Sequence, residues 1–113
     1  MGRLFISTNE FDKQWKHLGL DDSDRRNLEN EIAKNPQIGA VIQGTGALRK
    51  MRFALEGRGK SAGARVLYVD FVVAERIYLI TAYPKNQKEN ISAAERALYK
   101  QLIEQTQAEL EGK

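Results

Sequence analysis

The residues best equipped for chemistry lie between Gly44 and Tyr68, where six Lys/Arg (Arg49, Lys50, Arg52, Arg58, Lys60 and Arg65) stand against one acid, Glu56, a local balance of +5. The whole chain carries only +3, so the remainder sums to −2. A positive field gathered into one segment of a near-neutral protein is the footprint of a polyanion, most often nucleic acid. A solvated, inert basic hairpin is the competing reading of the same charges. Met51, Phe53 and Leu55 alternate with Lys50, Arg52 and Ala54. That period of two puts apolar side chains on the core face of a strand and leaves Lys50 and Arg52 as neighbours on the opposite face. Gly57, Gly59 and Gly63 then bracket Arg58 and Lys60, which reads as the basic tip of a hairpin. Gly59-Lys60-Ser61 is not a Walker loop, because Ala54 stands at the upstream glycine position and the segment leads into a strand rather than a helix. Arg65 sits in an apolar run and must find an anion there, whether Asp70, Glu56 or an incoming phosphate.

A second group, Tyr83, Lys85 and Lys88, surrounds Pro84 where the last strand ends. Tyr83 reads either as an aromatic closing the core or as a proton-transfer group, whereas Tyr68 and Tyr78 read as core. The one histidine, His17, lies in a helical pattern beside Lys16 and away from the basic segment, so neither a two-histidine metal site nor an imidazole acid/base pair can be built. The chain has no cysteine, hence no disulfide, thiol nucleophile or cysteine metal site. Chemistry falls to Lys, Arg, Tyr or a carboxylate, and no metal or cofactor is expected.

The elements that must position these groups follow from spacing and caps. Residues 1–113 are expected to form a single domain with a core that needs no staples. The apolar run at Leu4-Phe5-Ile6 is too short for a signal peptide, and no stretch approaches the ~20 residues of a membrane span, so a soluble, cytoplasmic protein with no membrane partner is expected. A first strand is followed by Ser7-Thr8-Asn9-Glu10, which has the form of a capping box, and by Phe11, Trp15 and Leu18 at helical spacing up to Gly19. Trp15 is assigned to the core. Asp21, Asp22 and Asp24 open a second helix with Leu28 and Ile32 as its stripe, and Asn35-Pro36 stops it. Gly39 to Gly46 is a connector with a glycine-rich turn that delivers the basic strand. A strand from Ala64 to about Val73, apolar on both faces, reads as central. Ala74-Glu75 turns the chain into a strand ending at Tyr83. Ser92-Ala93-Ala94-Glu95 caps a last helix whose apolar positions are Leu98, Leu102 and Ile103. The order predicts an α+β domain whose antiparallel sheet carries helices on one face and a basic concavity on the other.

Four ordered blocks carry a family resemblance: Asn35-Pro36-x-x-Gly39; Val41-Ile42-Gln43-Gly44-Thr45-Gly46-x-Leu48-Arg49-Lys50-x-Arg52; Gly57-x-Gly59-Lys60-x-x-Gly63-x-Arg65-x-x-Tyr68; and Tyr78-Leu79-x-x-x-Tyr83-x-Lys85-Asn86-x-Lys88. Together they resemble the HigB-type branch of the RelE/ParE toxin superfamily, over residues 11 to 103. Ala47 and Ala62 depart from it, standing where the family usually has glycine. The resemblance implies a RelE-like fold, with the sheet packed against an N-terminal helical hairpin and a C-terminal helix. It implies the toxin of a type II toxin–antitoxin pair, a ribonuclease acting on mRNA in the ribosomal A site, contacting ribosomal RNA and silenced by a HigA-like helix-turn-helix antitoxin. By position in the blocks, Lys50, Arg52, Arg65, Tyr83, Lys85 and Lys88 match the catalytic group, and Arg49, Arg58 and Lys60 are read as binding residues for mRNA and the surrounding ribosomal RNA. Which group is base and which acid stays open among Lys50, Tyr83 and the lysines. A ParE-like gyrase inhibitor that cleaves nothing, and a non-catalytic RNA-binding module, are the competing functions.

Overall fold

A computed structural model describes residues 3–54, 63–87 and 90–112. The element order is β1 (Leu4–Ser7), α1 (Asn9–His17), α2 (Asp22–Lys34), β2 (Ala40–Val41), β3 (Arg49–Phe53), β4 (Ala64–Phe71), β5 (Arg76–Pro84) and α3 (Ala93–Glu111). One five-stranded sheet runs β1-β5-β4-β3-β2. The strands from β2 to β5 pair antiparallel, and β1 joins β5 in parallel, the long crossover that such a pair needs being supplied by the helices and strands between them. The short strand β2 lies within the connector expected between Gly39 and Gly46.

α1 begins one residue later than the capping-box reading places it. Thr8 is the N-cap: its hydroxyl accepts from the Phe11 amide at 3.0 Å and donates to the Ile80 carbonyl at 2.7 Å, fastening the start of the helix to β5. Ser7 remains in β1, and its hydroxyl donates to Asp12 Oδ1 at 2.7 Å. Asp21 and Asp24 close a reciprocal box at the start of α2, at 2.9 and 3.0 Å. Phe11 stacks on Trp15 with ring centroids 5.2 Å apart, and Trp15 reaches Phe53 at 5.8 Å. With Leu28 and Ile32 they cover one sheet face, formed by Met51, Phe53, Val66, Tyr68, Ile77, Leu79 and Ala82.

The opposite face is also covered, which changes the expected arrangement. Leu48, Leu67, Val69, Phe71, Ile80 and Tyr83 pack there with Ile91 and Ile103, so α3 lies across the side that was expected to be an open basic concavity. The expected stripe of α3 is corrected as well. Ile103 is buried, but Leu98 and Leu102 are 64% and 40% exposed. The inward line is Tyr99, Ile103, Thr106 and Leu110, all at least half-buried, at a spacing of four, three and four residues. β4 is buried on both faces along most of its length, as a central strand requires.

Two blocks of the sequence have structural explanations. The Tyr68 hydroxyl donates to the Pro36 carbonyl at 2.8 Å and accepts from the Gly39 amide at 2.9 Å, so Asn35-Pro36-x-x-Gly39 closes onto the central strand. A Cβ on Gly39 would stand 3.0 Å from both the Lys50 carbonyl oxygen and the Tyr68 ring, so any side chain there would require its neighbours to give way. In Gly44-Thr45-Gly46 the glycines take φ of +87°, and the buried Thr45 hydroxyl donates to the Ile42 carbonyl at 2.6 Å and accepts from the Leu48 amide at 3.2 Å.

Candidate functional site

Register brings three of the expected residues into one row. Arg52 of β3 is directly opposite Arg65 of β4, and Arg65 is directly opposite Tyr83 of β5. Such partners share a sheet face, with Cβ atoms about 5 Å apart. Tyr83 reaches this row because of an irregularity in β5. Leu67 pairs with Thr81 but Tyr68 pairs with Leu79, so Ile80 is an extra residue against β4. Along a regular strand Tyr83 would share the face of Ile77 and Leu79, and the bulge turns it to the face of Arg65.

The electrostatics of the row are incomplete. Like charges directly opposite one another in a sheet destabilise it. Arg65 is only 8% exposed, and its Nη1 is buried with no hydrogen-bond partner among the described residues. Asp70, one of the two carboxylates considered for Arg65 from the sequence, is committed elsewhere: its oxygens accept from Arg3 Nε at 2.7 Å and Nη2 at 3.2 Å. The other, Glu56, lies outside the described residues, as do Arg58, Lys60 and Lys88. A buried guanidinium directly across the sheet from a second arginine, with a donor unpartnered among the described residues, is a site at which an anion would relieve both the repulsion and the desolvation.

The remaining expected residues divide. Lys50 is on the face of Arg52, two residues along β3, and its Nζ is 3.3 Å from Asn90 Oδ1. Lys85 is exposed in the turn after β5, and its amide donates to the Gly63 carbonyl at 3.1 Å, placing it at the same sheet end as the row. Arg49 is not brought to the row. It points to the other face, where its Nη1 donates to the carbonyls of Gly39 at 2.6 Å and Gln37 at 3.4 Å and holds the connector.

Tyr83 is 4% exposed with its hydroxyl buried, so its ring serves the core, and its backbone lies directly across from Arg65. Tyr99 of α3 lies near it. Burial raises the Tyr99 phenol above its ordinary value, helped by Glu95, Glu10 and Tyr83, which keeps it protonated. Beside Lys50 a cleft of about 570 Å³ opens between the residue 40–44 segment and the entrance to α3, where Asn90 and Arg96 line it. Asn90, Arg96 and Tyr99 were missed from the sequence. The available signal was Arg96 itself, a cation in the first turn of a helix, where the macrodipole disfavours positive charge.

The chain is a small basic α+β protein with helices on both faces of its sheet and an arginine pair at one sheet end, an arrangement suited to an anion. Comparison with known proteins supplies the family. A family model described as the RelE toxin of the RelE / RelB toxin-antitoxin system matches residues 3–113, and the chain belongs to that family. A solved structure of a doubly substituted mutant of E. coli toxin RelE in the free state is similar at 18% identity, covering 91% of this chain and 98% of that one with a TM-score of 0.56. That likeness shows the fold, which is the α+β, RelE-like arrangement expected from the sequence. No helix among the described residues is long and apolar enough to cross a membrane.

Proposed function

We propose that this toxin is a ribosome-dependent mRNA endoribonuclease of the HigB type, acting in the cytoplasm as one functional unit over residues 1–113. The arginine pair carries the reading: Arg65, buried and with an unpartnered Nη1 among the described residues, faces Arg52 where a phosphate would sit between them. Cleavage begins with attack of a ribose 2′-oxygen on the adjacent phosphorus. The bond from phosphorus to the 5′-oxygen breaks, leaving a 2′,3′-cyclic phosphate and a 5′-hydroxyl. Arg65 and Arg52 stabilise the charge that accumulates on the phosphoryl oxygens. The 2′-hydroxyl proton must be accepted and the 5′-oxygen must receive one. Tyr83 and Lys50, with Lys85 at the sheet end, divide these two tasks.

Lys88 belongs in this reading with the strand-end catalytic group, and Arg58 and Lys60 with the contacts to mRNA and ribosomal RNA; all three lie outside the described residues. The bonds of Arg49 to the connector carbonyls support a structural role for it rather than an RNA contact. The antitoxin that the family implies is, in this reading, a HigA-like helix-turn-helix protein.

The test is to induce the protein in cells and map new mRNA ends. In-frame cuts within translated messages, lost on Arg65→Ala, support the nuclease. DNA damage without mRNA cuts would instead establish the gyrase-inhibiting activity and overturn it.

A further inference from the structure

The cleft beside Lys50 is not used by the phosphate row, yet it adjoins it. Its volume of about 570 Å³ falls in the range of small-ligand sites, roughly 300–1,000 Å³. Lys50 and Arg96 provide cations on its walls, Gln43 and Asn90 provide amides that both donate and accept, and Ile42 and Ile91 provide apolar surface. Among the described residues that line it there is no carboxylate. Lys50 is shared with the phosphate row, two residues from Arg52, about 7 Å along the strand. That span is comparable with one extended nucleotide.

Arg96 is held in an unusual place. It lies in the first turn of α3, where a cation opposes the helix dipole, and the one acid of that turn, Glu95, accepts from the Ser92 amide at 2.8 Å. Arg96 Nη1 donates to the Ile91 carbonyl at 3.1 Å, which fixes the guanidinium at the cleft wall. Gly44, at φ +87°, brings bare backbone alongside its stem: a Cβ there would stand 3.8 Å from Arg96 Cδ. A planar guanidinium fixed beside aliphatic surface is a platform on which a base stacks, and the amides suit a base edge.

We propose that this cleft is a nucleotide subsite that seats the base next to the scissile phosphate, with Arg96 as its stacking and phosphate-facing residue and Asn90 reading the base edge. The assignment rests on the nuclease reading and adds to it the source of base preference. It takes single-stranded RNA rather than a peptide.

The experiment uses the full-length toxin and purified ribosomes programmed with a set of mRNAs that differ by one base at each position of the A-site codon. Cut positions, KM and kcat are measured for the wild type, Arg96→Ala, Arg96→Lys, Asn90→Ala, the cleft-filling Ala40→Trp, and Arg65→Ala. Arg96→Ala, by loss of one charge-assisted contact, and Ala40→Trp, by filling the cleft, are each expected to raise KM about tenfold and to flatten base preference at one codon position. Arg96→Lys is expected to restore KM in part but not the preference, since an ammonium does not stack. Ala40→Trp keeps the test decisive if Arg96→Ala fails to fold, because it leaves the bond of Arg96 to Ile91 in place.

Unchanged KM and unchanged preference in both variants, with Arg65→Ala inactive, would overturn the subsite while the nuclease reading stands. Variants that weaken only antitoxin binding would give the cleft to the antitoxin and overturn it equally. A fully active Arg65→Ala would remove the nuclease site and the subsite together.

Discussion

At the scale of residues, the unusual feature is a guanidinium kept where folding gains little from it. Arg65 is buried opposite Arg52 with no carboxylate partner among the described residues, and a buried guanidinium that stays unpaired lowers stability until an anion arrives. Replacing it by an apolar side chain of similar length separates the two contributions. Arg65→Met is expected to abolish mRNA cleavage while its urea midpoint stays level or rises, because the buried stem is retained and the repulsion is lost. A variant that unfolds much earlier would show that the guanidinium belongs to the core. Tyr83 can be tested in the same way, since its ring packs in the core and it shares the sheet face of Arg65, directly across from it. Tyr83→Phe is expected to lower single-turnover cleavage on the ribosome by about 100-fold or more with little change in stability. Undiminished turnover would confine Tyr83 to packing.

At the scale of elements, α3 owes its seat to few side chains. Ile103 is its one fully covered apolar residue, 4% exposed, whereas Leu98 is 64% exposed. Ile103→Ala is therefore expected to cost about 2–4 kcal/mol and Leu98→Ala under about 0.5 kcal/mol in urea denaturation. Comparable losses would mean that the helix packs on a different face. The connector carrying β2 depends on Tyr68, whose phenol is pushed above the ordinary 10.0, chiefly by burial. Raised folded values make this stability term full below the unfolded value. Above it the unfolded chain ionises while Tyr68 and Tyr99 hold their protons, and stability falls. Urea midpoints measured from about pH 8 to about pH 11 should drop across the upper part of that range, and the drop should shrink in Tyr68→Phe.

At the scale of the whole molecule, charge is divided: +5 between Gly44 and Tyr68 against −2 over the rest. Association with ribosome-bound mRNA should weaken steeply with salt, the logarithm of affinity falling by about one unit per tenfold in salt for each phosphate contact. Binding indifferent to ionic strength would argue against a phosphate-dominated interface. The same division bears on control by the antitoxin. If the antitoxin docks away from the basic end and blocks ribosome entry sterically, Lys50→Glu with Arg52→Glu leaves its affinity unchanged, and this is the outcome we expect. A loss of several-fold would place acidic antitoxin residues against the arginines, since close charge pairs across an interface are strongly coupled.

The sequence by itself determined the elements and the charged face. Caps, proline stops and the alternation around Met51 and Phe53 are local, and local physics places the two N-terminal helices, the basic strand with Lys50 and Arg52 on one side, and the family blocks. It did not show which side of α3 faces inward, because Leu98 and Leu102 form as plausible a stripe as Tyr99, Ile103 and Leu110 until the sheet is there to choose. Nor did it give the parallel pairing of β1 with β5, or the cleft at Asn90 and Arg96, which unites residues forty or more positions from Lys50. The row itself was half legible. Alternation along β3 places Arg52, but the face of Tyr83 depends on the extra residue at Ile80, and a bulge is set by packing against β4 rather than by the sequence of β5 alone. Only the tertiary structure could set Arg52, Arg65 and Tyr83 side by side, because the register between strands is fixed by the two cores that the helices close over them.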